Sequence, residues 1–171
     1  MDIDGYVGDM TWSSLGLIKL SSVDKAMGVS IVTDDLKQFY DVTVPFNRLL
    51  NQASKQAEMN RKNYVWFYLK VNHNAEWDIK RQIPWENSMN TTYPGSYDSI
   101  VVYNNCYITP EEMGNYLYGY SGSACGFSEK ELISGSVFAS KMLFKKFNAT
   151  EFYNEFQDHI SIKKGIRNYA K

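Results

Sequence analysis

After Pro45, apolar or small side chains fall at Phe46, Leu49, Leu50, Ala53, Ala57, Tyr64, Phe67, Tyr68 and Val71. Most of these steps are three or four residues, the spacing that gathers side chains on one face of an α-helix, so the run predicts one long amphipathic helix over 46–71. Further along, Thr109-Pro110-Glu111-Glu112 supplies an N-cap, a proline at the first helical position and an acid at the third, and Ser128-Glu129-Lys130-Glu131 repeats the capping box. Two helices are expected to begin there, the second running towards Phe147. A last amphipathic helix fits 150–169, with Phe152, Phe156, Ile160 and Tyr169 as core candidates. Short apolar stretches at 15–20, 29–32 and 100–103 are expected as strands. The stretch from Asn72 to Ser99 is polar and turn-rich, yet carries Trp77, Trp85, Tyr93 and Tyr97; a long loop of this kind in a compact domain is more often functional than idle. The expected fold class is therefore mostly α (α+β): a single compact helical domain with a few short strands, comprising an irregular N-terminal lead over 1–44 and a helical domain over 45–171.

Composition narrows the partners. The 171 residues include 44% hydrophobic and 15% aromatic side chains, enough flat amphipathic rings both to fill a core and to line a groove. The net charge of −1 supplies no global field to draw in nucleic acid. Its distribution is uneven: residues 1–44 carry net −4 and residues 141–171 net +4, the latter reading first as a solvated helix face. Cys106 and Cys125, with only His73 and His159 beside them, offer no CxxC or HxxxH spacing, so no metal or cofactor is expected and both thiols are expected to be buried. The opening MDIDGYVGDM lacks the apolar core of a signal peptide, and no apolar run approaches the roughly 20 residues of a membrane span.

The densest candidate chemistry lies between Glu111 and Gly126. Glycines at 114, 119, 122 and 126 are costly in a helix, at about 1 kcal/mol each relative to alanine. Either close helix packing offsets that cost, or glycine lets a substrate approach the backbone beside Glu111, Glu112 and Asn115. A phosphate-binding loop is poorly supported, because no Lys-Ser or Lys-Thr follows the glycines. A second polar cluster is Glu76-Trp77-Asp78-Ile79-Lys80-Arg81, and a third is Asp158-His159 in the last helix.

These three clusters together resemble the polymorphic toxin type 44 family, the killing modules of bacterial toxins and bacteriocins. Trp77-Asp78-Ile79-Lys80 is similar to its WDxK element, residues 114–126 to its GNxxYGxxGxAxG element, and Asp158, Ile162, Gly165 and Tyr169 to its closing DxxxIxxGxxxY element. The resemblance covers 61–169; a PPYGDD-like segment usual in the family is replaced here by Phe147 to Gln157. It implies a secreted antibacterial effector, delivered to a target bacterium as part of a larger toxin polypeptide, with a cognate immunity protein as partner. The family is commonly labelled a ribonuclease, so the residues are weighed independently of the label.

Three functions fit. Hydrolysis of peptidoglycan glycan strands, muramidase-like, needs a protonated carboxyl and commonly a second carboxylate. Glu112 or Glu111 is the expected acid, Asp78 or Asp158 the second carboxylate and Asn115 the partner of an acetamido group, with Lys80 and the rings of Trp77, Tyr116 and Tyr118 binding substrate. A metal-independent ribonuclease would use Glu112 or His159 as base and Lys80 with Arg81 as a phosphate clamp. A non-enzymatic module would use the tyrosine-rich surface to bind a carbohydrate or protein.

Overall fold

The computed structural model describes residues 30–34, 37–93, 95, 99–143 and 149–170. The expected strand at 15–20, together with Pro94, Tyr97 and the end of the helix expected to reach Phe147, lies outside them. Among the described residues, five α-helices stand beside one four-stranded sheet: β1 (Ser30–Asp34), β2 (Lys37–Asp41), α1 (Thr43–Met59), α2 (Tyr64–Val71), a short 3-10 helix (Ile79–Arg81), β3 (Val101–Tyr103), β4 (Cys106–Ile108), α3 (Pro110–Ala124), α4 (Glu129–Leu143) and α5 (Ala149–Tyr169). The fold is mostly helical with a small β contribution, as the sequence indicates.

The sheet runs β1-β2-β3-β4. β1 and β2 form an antiparallel hairpin, β2 meets β3 in parallel at Asp41 and Val102, and β3 returns antiparallel as β4. The β3–β4 turn is Asn104-Asn105, both with positive φ, the backbone that a two-residue hairpin turn requires and that Asn tolerates. Val42 N–H donates to the Val102 carbonyl at 2.8 Å, carrying the chain from the inner strand β2 directly into α1.

α1 buries the stripe its spacing predicts: Phe46, Leu49, Leu50, Ala53 and Ala57. The single long helix expected over 46–71 is instead two helices. Lys62 adopts φ 56° and its N–H donates to the Cys125 carbonyl at 2.7 Å, while Asn63 accepts from Trp66 N–H and caps α2. The break turns α2 so that Phe67 is buried and Tyr64 and Tyr68, expected on the buried stripe, are 58% and 61% exposed. Both capping boxes form. Thr109 Oγ1 accepts from Glu112 N–H at 3.2 Å and Glu112 Oε2 accepts from Thr109 N–H at 2.8 Å; Ser128 and Glu131 exchange the equivalent pair at 3.3 and 2.7 Å.

The most extensive helix interface joins α3 to α5, and glycine explains it. A Cβ on Gly119 would lie 2.1 Å from the Ile162 carbonyl oxygen, and one on Gly165 would lie 2.1 Å from that of Tyr116. Backbone therefore rests on backbone at two reciprocal points, which no larger residue permits. Gly126 ends α3 at φ 84°, with its N–H on the Ser123 carbonyl and Phe127 N–H on the Gly122 carbonyl, the paired bonds of a left-handed helix C-cap.

Candidate functional site

The loop after α2 is braced rather than loose. Trp77 is 3% exposed and packs edge-on against Trp66 and Phe67; Trp85 donates its indole N–H to the Ile79 carbonyl at 2.7 Å and stacks on Tyr93. Trp77 is thus a core side chain and presents no ring to solvent. Asp78, also buried, takes both oxygens into local bonds. Arg81 Nη1 lies 2.9 and 3.1 Å from them, and Asn74 N–H donates to Oδ2 at 2.8 Å. This clasp closes the turn and fixes the 3-10 helix.

That helix aims Lys80 at α3, where its ammonium lies 2.9 Å from Glu111 Oε1. One turn along α3, Asn115 Nδ2 donates to Asp158 Oδ1 of α5 at 2.6 Å. The bond fixes the Asn115 amide so that its Oδ1 is the group left to accept from a ligand. Glu112 caps its own helix through Oε2, and Oε1 has no partner among the described residues. Tyr116 is buried and receives a hydrogen bond from Asn168 Nδ2 at 2.8 Å; Tyr118 is half-buried and donates to the Leu132 carbonyl at 2.9 Å. Desolvation pushes the Tyr118 phenol up to about 12, so it stays protonated at physiological pH.

Between the two polar pairs sits Gly114. Unlike its neighbours, it is not needed for packing: a Cβ there would meet only Ile79 Cγ1, at 4.0 Å. The sequence-predicted clusters therefore meet as Lys80–Glu111 and Asn115–Asp158 on either side of an open stretch of α3, whereas Asp78 and Trp77 are turned into the loop that supports them.

His159 is half-buried, with Nε2 shielded from solvent and without a hydrogen-bond partner among the described residues. Cys125 is buried, its thiol raised by desolvation, but Cys106, expected to be buried, is exposed because it opens the edge strand β4. Among the described residues no three His, Cys, Asp or Glu side chains gather to hold a metal ion, and no helix is long and apolar enough to cross a membrane.

One cleft escapes sequence reasoning as a unit, although Tyr116 in its wall is among the rings expected to bind substrate. Asn47 and Asn51 of α1, Tyr103 and Asn104 of the β3–β4 hairpin, Tyr116 and Tyr120 of α3 and Asn168 of α5 line a cleft of about 430 Å³. They are scattered over more than a hundred positions with no local pattern to link them.

A compact helical domain with polar side chains gathered along a glycine-rich helix is what the toxin-like motifs imply, and a family comparison gives the class. The family model for bacterial toxin 44 matches residues 65–171, so the chain belongs to that family and carries a bacterial toxin domain. No curated protein and no solved structure matches it.

Proposed function

We propose that this toxin domain hydrolyses the glycan strands of peptidoglycan. The observation that carries the reading is the open backbone at Gly114, on the side of α3 where Glu111 meets Lys80 and Asn115 is held by Asp158, with Glu112 about 60° round the helix from Asn115. A sugar ring can approach a helix closely only where no Cβ stands in the way. In this reading Glu112, less exposed than Glu111, is the general acid: Oε1 holds the proton for the glycosidic oxygen while Oε2 continues to cap the helix. Asp158 is the second carboxylate, acting on the anomeric carbon directly or through a water. Asn115 Oδ1 accepts from the acetamido N–H, and the Lys80–Glu111 pair borders the strand. As a secreted effector, the domain would meet this substrate in the target envelope, and the producer would need an immunity protein.

The ribonuclease reading is less well supported, because both cations it needs are already matched to carboxylates, Lys80 to Glu111 and Arg81 to Asp78. Incubation of the purified chain with peptidoglycan sacculi and, separately, with total RNA tests the choice. Release of soluble muropeptide fragments with intact RNA is expected; degraded RNA with intact sacculi overturns the reading.

A further inference from the structure

The cleft between α1, the β3–β4 hairpin, α3 and α5 takes no part in the chemistry proposed above. At about 100° per residue, Tyr116 and Tyr120 turn away from the side of α3 that carries Glu111, Gly114 and Asn115. No charged side chain lines it. A neutral wall cannot offset the desolvation of phosphate or of a carboxylate-rich polymer, so its ligand is uncharged where it touches the cleft.

The hydrogen-bonding groups are arranged in advance. Tyr103 donates its hydroxyl to Asn47 Oδ1 at 3.0 Å, which leaves the Asn47 NH₂ as a donor. Asn168 uses its Nδ2 on Tyr116, which leaves its Oδ1 as an acceptor. Asn51 and Asn104, both exposed, add amides at the rim. Tyr120 lies parallel to Tyr116 at 6.3 Å and is partly exposed, offering a ring to an apolar sugar face. Oriented donor and acceptor amides beside aromatic rings match a molecule with hydroxyl and amide groups on a ring with an apolar face, and the volume is in the range of small-ligand sites, about 300–1,000 Å³. Asn47, Leu50 and Asn51 precede the stretch matched by the family model, so the α1 wall of the cleft, three of its eight lining residues, is contributed by the chain outside that match.

We propose that this cleft is a second carbohydrate site, binding a neutral N-acetylated sugar unit on the flank of α3 away from Gly114 and Asn115. The choice of an N-acetylated sugar rests on the glycan reading above; neutrality and the amide–tyrosine lining stand without it.

The test is a titration of the isotopically labelled full chain, carrying Glu112→Gln to prevent turnover, with the tetramer of N-acetylglucosamine, followed by nuclear magnetic resonance. Saturable shifts of the Asn47, Asn51 and Asn168 side-chain amides are expected, together with at least a tenfold weakening of that response at Tyr120 in Asn51→Ala/Asn168→Ala. Both substitutions fall at exposed helical positions, and Asn51→Arg, which fills the rim without touching the Asn168–Tyr116 bond, gives an independent block. Shifts confined to the surroundings of Glu112, Asn115 and Asp158, no shifts at all, or an unchanged affinity in both variants overturn the proposal. Wild-type action on sacculi is read separately. Binding here without hydrolysis removes the catalytic reading and keeps the cleft, whereas hydrolysis with an unmoved affinity removes the cleft and keeps the catalytic reading.

Discussion

Replacing Gly114 by alanine separates packing from function at a single atom. In the middle of a helix, Gly→Ala stabilises by about 1 kcal/mol through backbone entropy. At Gly114 nothing opposes that gain: the new Cβ would lie 4.0 Å from Ile79 Cγ1, an ordinary contact adding about 0.1–0.2 kcal/mol per atom pair. The net expectation is about 1 kcal/mol of added stability, or a melting temperature higher by about 2–4 °C for a chain of this size. If glycine is kept there to admit a sugar ring, the same methyl group stands in the substrate's path and hydrolysis of sacculi falls by at least about tenfold, the loss equivalent to about 1.4 kcal/mol of transition-state binding. Thermal unfolding followed by circular dichroism and clearing of a sacculus suspension measure the two effects on one sample. A lower melting temperature would show that the position is a packing contact after all. A higher one with wild-type hydrolysis would show that the open backbone serves no substrate.

The neighbouring glycines should behave in the opposite way. Gly119→Ala or Gly165→Ala places a Cβ 2.1 Å from a carbonyl oxygen of the facing helix, so α3 and α5 must separate; a net loss of about 2 kcal/mol is expected after the helix-propensity gain, and an unchanged unfolding midpoint in denaturant would contradict the packing described. Glu112→Gln keeps the oxygen that caps Thr109 N–H but removes the titratable proton, so hydrolysis is expected to fall at least about a hundredfold with little change in melting temperature; near-normal turnover would reduce Glu112 to a cap and move the search to Glu111. Glu131 is held well below the ordinary carboxylate range by Lys62, then by Tyr64 and Ser128. A lowered folded-state value means that its stabilising contribution is present above the unfolded value of about 4.3 and is lost as pH falls through the folded one. Wild type should therefore melt above Glu131→Gln at neutral pH, with a gap, smaller in high salt, that begins to narrow as pH falls below about 4 and keeps narrowing towards pH 2; a gap that stays constant down to pH 2 would refute the linkage.

What could be read from the chain is what short-range physics decides. Capping boxes at Thr109 and Ser128 are closed by residues three apart, so they and the helices they start are legible from the sequence, as is the stripe from Phe46 to Ala57. The three motif clusters were legible for the same reason, each being contiguous or helically spaced. The rest depends on partners distant in the chain. The break between α1 and α2 is fixed by Lys62 N–H bonding to Cys125, more than sixty residues away, and that turn decides that Tyr64 and Tyr68 face solvent. Four glycines look alike in sequence, but only the position of α5 makes Gly119 a backbone contact and leaves Gly114 open. Trp77 and Asp78, polar-loop residues by context, are buried because Trp66, Phe67 and Arg81 close over them. The asparagine–tyrosine cleft has no sequence signature at all: its lining comes from three helices and a hairpin, and only their packing makes scattered amides into one surface.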